Sequence, residues 1–220
     1  MDDTLLDFHK AEAIAIRKTL TQLGIEPDDN AISRYSAINQ DLWKRLENGE
    51  LTREQVLIRR FDILFSELGV NADGDIAWQT YEQFLGEGHY FISGAPALLE
   101  ALHSKYNLYL ASNGTARVQN RRIDSSGIAR YFKEIFISQQ VGFDKPNQGF
   151  FEHCFKSIPA FSKDETIIIG DSLSSDIRGA NNSGIRACWF NPKKKPREEG
   201  ILVHYEITSL DQIPALLNQI

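Results

Sequence analysis

Two carboxylates five positions apart are the first residues in this chain that invite chemistry. In Thr166–Asp176, T-I-I-I-G-D-S-L-S-S-D, an apolar run enters Gly170 and Asp171, and Asp176 follows just inside an expected helix. Two acids this close, with few basic neighbours, suit a hard divalent cation such as Mg²⁺. A second cluster, Ser112-Asn113-Gly114-Thr115, sets a small hydroxyl and an open backbone turn ahead of another expected helix, the make-up of an anion cradle. A third, Phe143-Asp144-Lys145-Pro146, holds an ammonium beside a proline that restricts the backbone before it. A fixed ammonium there would neutralise a phosphate oxygen or an acyl-phosphate. Each cluster has an ordinary alternative: Asp171, Ser174 or Ser112 capping a helix, and Lys145 as a solvated surface residue. All three together, at the ends of three successive expected strands, are hard to explain that way.

The elements that must position them alternate. From Gly94-Ala95-Pro96 onward the pattern predicts helix 95–105, strand 107–111, helix 116–126, strand 134–138, helix 147–157, strand 166–169, helix 175–183, strand 185–190, strand 203–207 and helix 209–219. The four-residue run Thr166–Ile169 is apolar or β-branched throughout, as in a strand buried on both faces. Strand and helix in alternation predict a parallel sheet covered by helices on both sides, with ligands at the carboxyl edge of the strands. Residues 9–88 read instead as nearly all helix: 10–23, 31–47, 52–68 and 75–85, with a capping-box spacing at Thr52 and Gln55.

Bulk properties narrow the function. The 220 residues allow one sizeable core and an inserted subdomain. A net charge of −6 argues against a nucleic-acid partner, which calls for a basic face. Cys154 and Cys188 have no metal-ligand spacing and read as small core residues, which fits a reducing cytoplasm. No apolar run approaches a membrane span.

The order of these motifs resembles that of the haloacid dehalogenase-like hydrolases. Ser112 falls on their second motif, Lys145 on the third, and Asp171 with Asp176 on the fourth. Their first motif, D-x-D-x-T, closes the first strand. The chain opens Met1-Asp2-Asp3-Thr4-Leu5-Leu6-Asp7, so Asp2 falls on the second aspartate and the nucleophilic first one would stand before Met1. The apolar strand ahead of it has no counterpart either. We expect, from this likeness, that the chain starts late. The resemblance implies an α/β fold: a three-layer Rossmann-like parallel-sheet core of residues 1–8 and 92–220, its first strand absent, with an inserted helical cap at 9–91. The absent strand would lie between 107–111 and 166–170. Several unpaired backbone groups at about 1–3 kcal/mol each would consume much of a typical stability of roughly 5–15 kcal/mol. The chain as it stands is therefore expected to be poorly stable and inactive.

The resemblance also implies a reaction. Mg²⁺ would be held by the missing aspartate, the backbone carbonyl of Asp2 and Asp171, with Asp176 orienting that shell. The missing aspartate would form an aspartyl-phosphate, and Asp2 would act as acid and then base. Ser112, the amide of Asn113 and Lys145 would hold the phosphoryl oxygens. Asp2 argues against the dehalogenase branch, which needs no acid. The segments 2–8, 38–43, 87–89, 142–146 and 187–192 are similar to the bacterial pyrimidine 5′-nucleotidases, which implies a nucleoside monophosphate as substrate, with Asn39 and Trp43 as contacts to the base. His89 is assigned no role. A sugar-phosphate or phosphoglycolate phosphatase or phosphomutase of the same superfamily, and a non-catalytic phosphate-binding protein, are the alternatives. A monomer or homodimer is expected.

Overall fold

The computed structural model describes residues 1–219. The chain divides into two compact units, one made of Phe8–Tyr90 and the other of Met1–Asp7 with the chain from Phe91 onward. Among the described residues no helix is long and apolar enough to cross a membrane.

The first unit is helical: α1 (Phe8–Gln22), α2 (Asp29–Glu47), α3 (Arg53–Leu68) and α4 (Gly74–Leu85). The starts of α2, α3 and α4 have local causes. The Asp28 carboxylate accepts from the Ala31 amide at 2.7 Å, the Thr52 and Gln55 side chains form a reciprocal capping box, and Asp73 caps α4. Gly69 ends α3 in the left-handed region at φ 66°, which costs an L side chain energy and glycine none. The core of this unit centres on Tyr35, Phe61 and Tyr81, whose rings lie 5.2–5.7 Å apart. A buried polar network runs beside them. Glu12 accepts from Ser36 Oγ at 2.6 Å and from Asn39 Nδ2 at 2.7 Å, while Arg60 donates to Asn39 Oδ1 at 3.0 Å and lies 4.7 Å from the Tyr81 ring centre.

The second unit alternates as expected: α5 (Ala95–Leu102), β1 (Tyr109–Ser112), α6 (Ala116–Ser126), β2 (Glu134–Ile137), α7 (Ser138–Val141), α8 (Gln148–Ser157), β3 (Ile167–Gly170), α9 (Arg178–Ser183), β4 (Arg186–Phe190), β5 (Tyr205–Ile207) and α10 (Ile213–Leu217). Among the described residues these strands pair in parallel and form two sheets, β1-β2 and β3-β4-β5, and an isolated antiparallel bridge joins Leu6 to Phe91. Helices cover both faces. Leu98 and Leu102 of α5 pack with Cys188, Phe190 and Ile207 on one side, and Phe150, Phe151 and Cys154 of α8 pack with Ala187 and Trp189 on the other. Cys154 and Cys188 are buried free thiols, pushed up to about 12 by that burial.

Three local departures from the expected elements stand out. The segment expected as one helix over 175–183 begins as a π-helical turn, Leu173–Ile177, before α9. A short α7 follows β2, where a loop was expected. The last expected helix, 209–219, divides into a 3₁₀ turn at Leu210–Gln212 and α10.

Candidate active site

The tips of β1 and β3 carry the predicted polar groups, and a single lysine ties them together. Lys145 is 5% exposed, and its Nζ donates to Asp176 Oδ1 at 2.6 Å and to the Ala111 carbonyl at 3.2 Å. Its backbone is clamped by Asn113. The Asn113 side-chain amide donates to the Lys145 carbonyl at 2.8 Å, and its Oδ1 accepts from the Lys145 N–H at 2.9 Å. This is two-point recognition of one peptide, so the lysine stem leaves from a fixed base. Ser112, 2% exposed, accepts from Gln119 Nε2 at 2.7 Å. The Gly114 amide donates to Ser138 Oγ at 3.3 Å.

On the other side, Asp176 folds back over the end of β3. Its Oδ2 accepts from the Ser172 amide at 3.2 Å, and a Cβ added at Gly170 would lie only 2.2 Å from it. That approach is the physical reason for glycine before Asp171. Ser172 caps the π-turn through the Ser175 amide at 3.1 Å. The π-turn, with its wider step, brings Asp176 under the strand tip. Asp171 is oriented twice: its Oδ1 accepts from Thr4 Oγ1 at 2.9 Å, and its carbonyl accepts from the Trp189 indole N–H at 2.9 Å. Burial, then repulsion from Asp176 and Asp3, pushes the Asp171 carboxyl up to about 7, against a partial pull from the Met1 amine. Burial and the Lys145 charge in turn lower the pKa of the Met1 amine.

Asp2 faces a different pair. Gln119 Nε2 donates to its Oδ2 at 2.6 Å and Arg122, fully buried, forms an ion pair with its Oδ1. Burial alone would raise this carboxyl, but Arg122, the Met1 amine and the Gln119 bond outweigh it and hold it below its ordinary value.

The structure therefore brings Asp2, Ser112, Asn113, Lys145, Asp171 and Asp176 into one neighbourhood of the α/β unit. The two residues expected to contact the base, Asn39 and Trp43, belong to the helical unit. Asn39 is 1% exposed and its amide is engaged by Glu12 and Arg60 inside the helical unit. Trp43 is partly buried, with the Arg53 guanidinium 5.6 Å from its ring centre. Gln119 and Arg122 have no role in the sequence reading, where Thr4 enters only as the frame of D-x-D-x-T and Trp189 only within segment 187–192. A signal for the first two exists: Val118, Gln119, Arg122 and Ile123 are the buried residues of α6, and their spacing is that of one helix face.

The sequence model of the haloacid dehalogenase-like hydrolase family matches residues 1–190. The chain belongs to that family. Among its haloacid dehalogenase-like relatives, the HAD-hydrolase YfnB of Bacillus subtilis is 41% identical over 218 residues, covering 99% of this chain and 93% of the relative. The pyrimidine 5′-nucleotidase PynA of Streptococcus pneumoniae is 36% identical over 214 residues, covering 97% and 90%. The crystal structure of the orthorhombic form of YfnB bound to magnesium superposes with a TM-score of 0.95, covering 99% of this chain and 96% of that one. The α/β core with a helical unit is thus the fold of a hydrolase family.

Proposed function

We propose that the chain is built for hydrolysis of phosphomonoesters, and that its substrates are pyrimidine nucleoside 5′-monophosphates. The observation that carries the reading is the lysine tie. Lys145 sits between the anion-cradle loop after β1 and the acidic loop after β3, fixed by the Asn113 clamp and by Asp176. Phosphoryl transfer needs mainly such positioned charge. In this reading the Ser112 hydroxyl, the Asn113 amide and the Lys145 ammonium hold the phosphoryl oxygens. Asp2, oriented by Gln119 and Arg122, exchanges a proton with the ester oxygen and then with water. The similarity to PynA supports the pyrimidine assignment.

The acid cluster fits a cation. Asp171 is pushed up to about 7 by burial and by the neighbouring Asp176 and Asp3, and a nearby positive charge would relieve that repulsion. Among the described residues no three His, Cys, Asp or Glu side chains form a metal cage by themselves. By the resemblance to the family, Mg²⁺ would be held by Asp171, with Asp176 beside it, and by the backbone carbonyl of Asp2. When bound, such an ion supplies charge neutralisation at the phosphoryl group. In this reading the attacking carboxylate is one two positions before Asp2, where the resemblance to the family's first motif would have it.

The test is phosphate release from nucleoside monophosphates and sugar phosphates with Mg²⁺, using the chain preceded by an apolar strand that ends in Asp. Preference for pyrimidine nucleotides supports the proposal; turnover of sugar phosphates alone sinks the substrate assignment. Trp43 remains our candidate for contact with the base, and Trp43→Ala should change the ranking among bases.

A further inference from the structure

Gln119 is 2% exposed on the buried face of α6, and its amide joins two groups that lie far apart in the sequence. Its Nε2 donates to Asp2 Oδ2 at 2.6 Å and to Ser112 Oγ at 2.7 Å. Its Oε1 accepts from Arg122 at 3.3 Å. A guanidinium carries donors only, so the oxygen of the amide has to face Arg122 and the nitrogen has to face Asp2 and Ser112. Arg122 is fully buried and is itself held by its ion pair with Asp2. Nε2 has two hydrogens, and the two acceptors take both. Room for this amide exists because residue 114 is glycine. A Cβ there would lie 2.7 Å from Gln119 Nε2 and 2.9 Å from its Cδ, inside van der Waals contact.

The polarity of these bonds carries through to Ser112. Its oxygen serves as an acceptor, so its O–H is left to donate, and among the described residues that proton meets no acceptor. On a residue only 2% exposed, a polar hydrogen without an acceptor is costly. We propose that Gln119 is a positioning residue that fixes the Ser112 hydroxyl as a hydrogen-bond donor toward a phosphoryl oxygen, so that this point of the site selects a ligand atom that accepts and rejects one that donates. The inference rests on the reading that Ser112 holds a phosphoryl oxygen. With an aliphatic side chain at position 119 the hydroxyl would turn freely, and an incoming oxygen would have to order it at a cost in affinity. The same amide holds Asp2, so one side chain sets both the donor that meets the phosphoryl group and the orientation of the carboxylate beside it.

The test is a double-mutant cycle on the chain as it stands, read by binding rather than activity. Inorganic phosphate is the probe, with Mg²⁺ present, and affinity is measured by calorimetry. Gln119→Met keeps the length of the side chain and removes both donors. It should weaken phosphate binding by about three- to tenfold, and Ser112→Ala should do the same. In the Ser112→Ala background, Gln119→Met should cost less than about twofold more, because the hydroxyl through which it acts is gone. A glutamine with a merely structural role would lower the affinity by the same factor in both backgrounds, and that result would overturn the proposal. So would a Gln119→Met chain that binds phosphate as tightly as the unsubstituted one. If Gln119→Met does not fold, Gly114→Ala carries the same cycle, since its methyl displaces the amide without altering it: the loss should be larger with Ser112 present than with Ser112→Ala, and equal losses would overturn the proposal. An unsubstituted chain that binds no phosphate, or binding that Ser112→Ala leaves unchanged, would sink the assignment of Ser112 to the phosphoryl group and this inference with it. A loss with Ser112→Ala joined to equal effects of Gln119→Met in both backgrounds would sink this inference alone.

Discussion

Lys145 joins two loops through one ammonium, and two consequences belong to that residue. Lys145 and Asp176 are 5% and 7% exposed, so removing one partner leaves the other charge uncompensated. Lys145→Met should lower stability by about 3–5 kcal/mol in chemical denaturation, and Lys145→Met with Asp176→Asn should recover part of it. In an active form of the protein, Lys145→Met should also reduce kcat by about 10²–10³, measured by phosphate release. A second residue-scale prediction concerns Glu12. Burial raises its pKa, opposed by the bonds from Ser36 and Asn39 and by His9 and Arg60. A carboxyl with a raised pKa keeps its proton in the fold after the unfolded chain has lost it. Its contribution is therefore full below the ordinary carboxylate value and lost as pH rises through the folded value. Thermal melts should show stability falling over that interval, and Glu12→Gln should flatten the slope and raise the melting temperature at neutral pH. Residue by residue, local signals mark these positions: Ser112 ends β1, Asp171 directly follows β3, Lys145 stands before Pro146, and Asp176 lies in the π-turn just after β3. The partners Gln119, Arg122 and Trp189 were less legible, because helix 116–126 also carries Arg117 and Arg121, and a tryptophan in an apolar strand reads as core.

At the scale of elements, the glycine before Asp171 sets how closely the π-turn approaches β3. Gly170→Ala would place a methyl 2.2 Å from Asp176 Oδ2 and 2.4 Å from its carboxyl carbon. Asp176 would have to move, and Lys145 with it. We expect a cost of about 1–3 kcal/mol in a denaturant titration, together with weaker binding of Mg²⁺ by calorimetry. At the helical unit, Thr52→Ala removes one half of the capping box and should cost about 1 kcal/mol in a thermal or denaturant melt. Most elements could be read from the sequence because their signals are local: proline at the start of α5, glycine at the end of α6, and apolar runs in β3 and β4. The π-turn at Leu173–Ile177 and the short α7 could not, because each is fixed by a contact across the chain rather than by propensity. Asp176 reaches Lys145, and Ser138 at the start of α7 bonds to Gly114.

For the whole molecule, composition and alternation foretold one α/β unit and one helical unit, and the motif order foretold the family. Among the described residues the strands form two sheets that divide between β1 and β3. The position of Asn39 was less accessible, since a polar residue at helical spacing reads the same whether it faces outward or closes a buried network with Glu12 and Arg60. The central claim is that these tips hold and cleave a phosphomonoester of a pyrimidine nucleoside. Phosphate release with Mg²⁺ should be compared between the chain as it stands and the chain preceded by an apolar strand ending in Asp, across nucleotides and sugar phosphates. Turnover only with the added strand, fastest on UMP, dUMP or dTMP, is the predicted result. A folded extended chain that is silent on every nucleotide but hydrolyses sugar phosphates would contradict it.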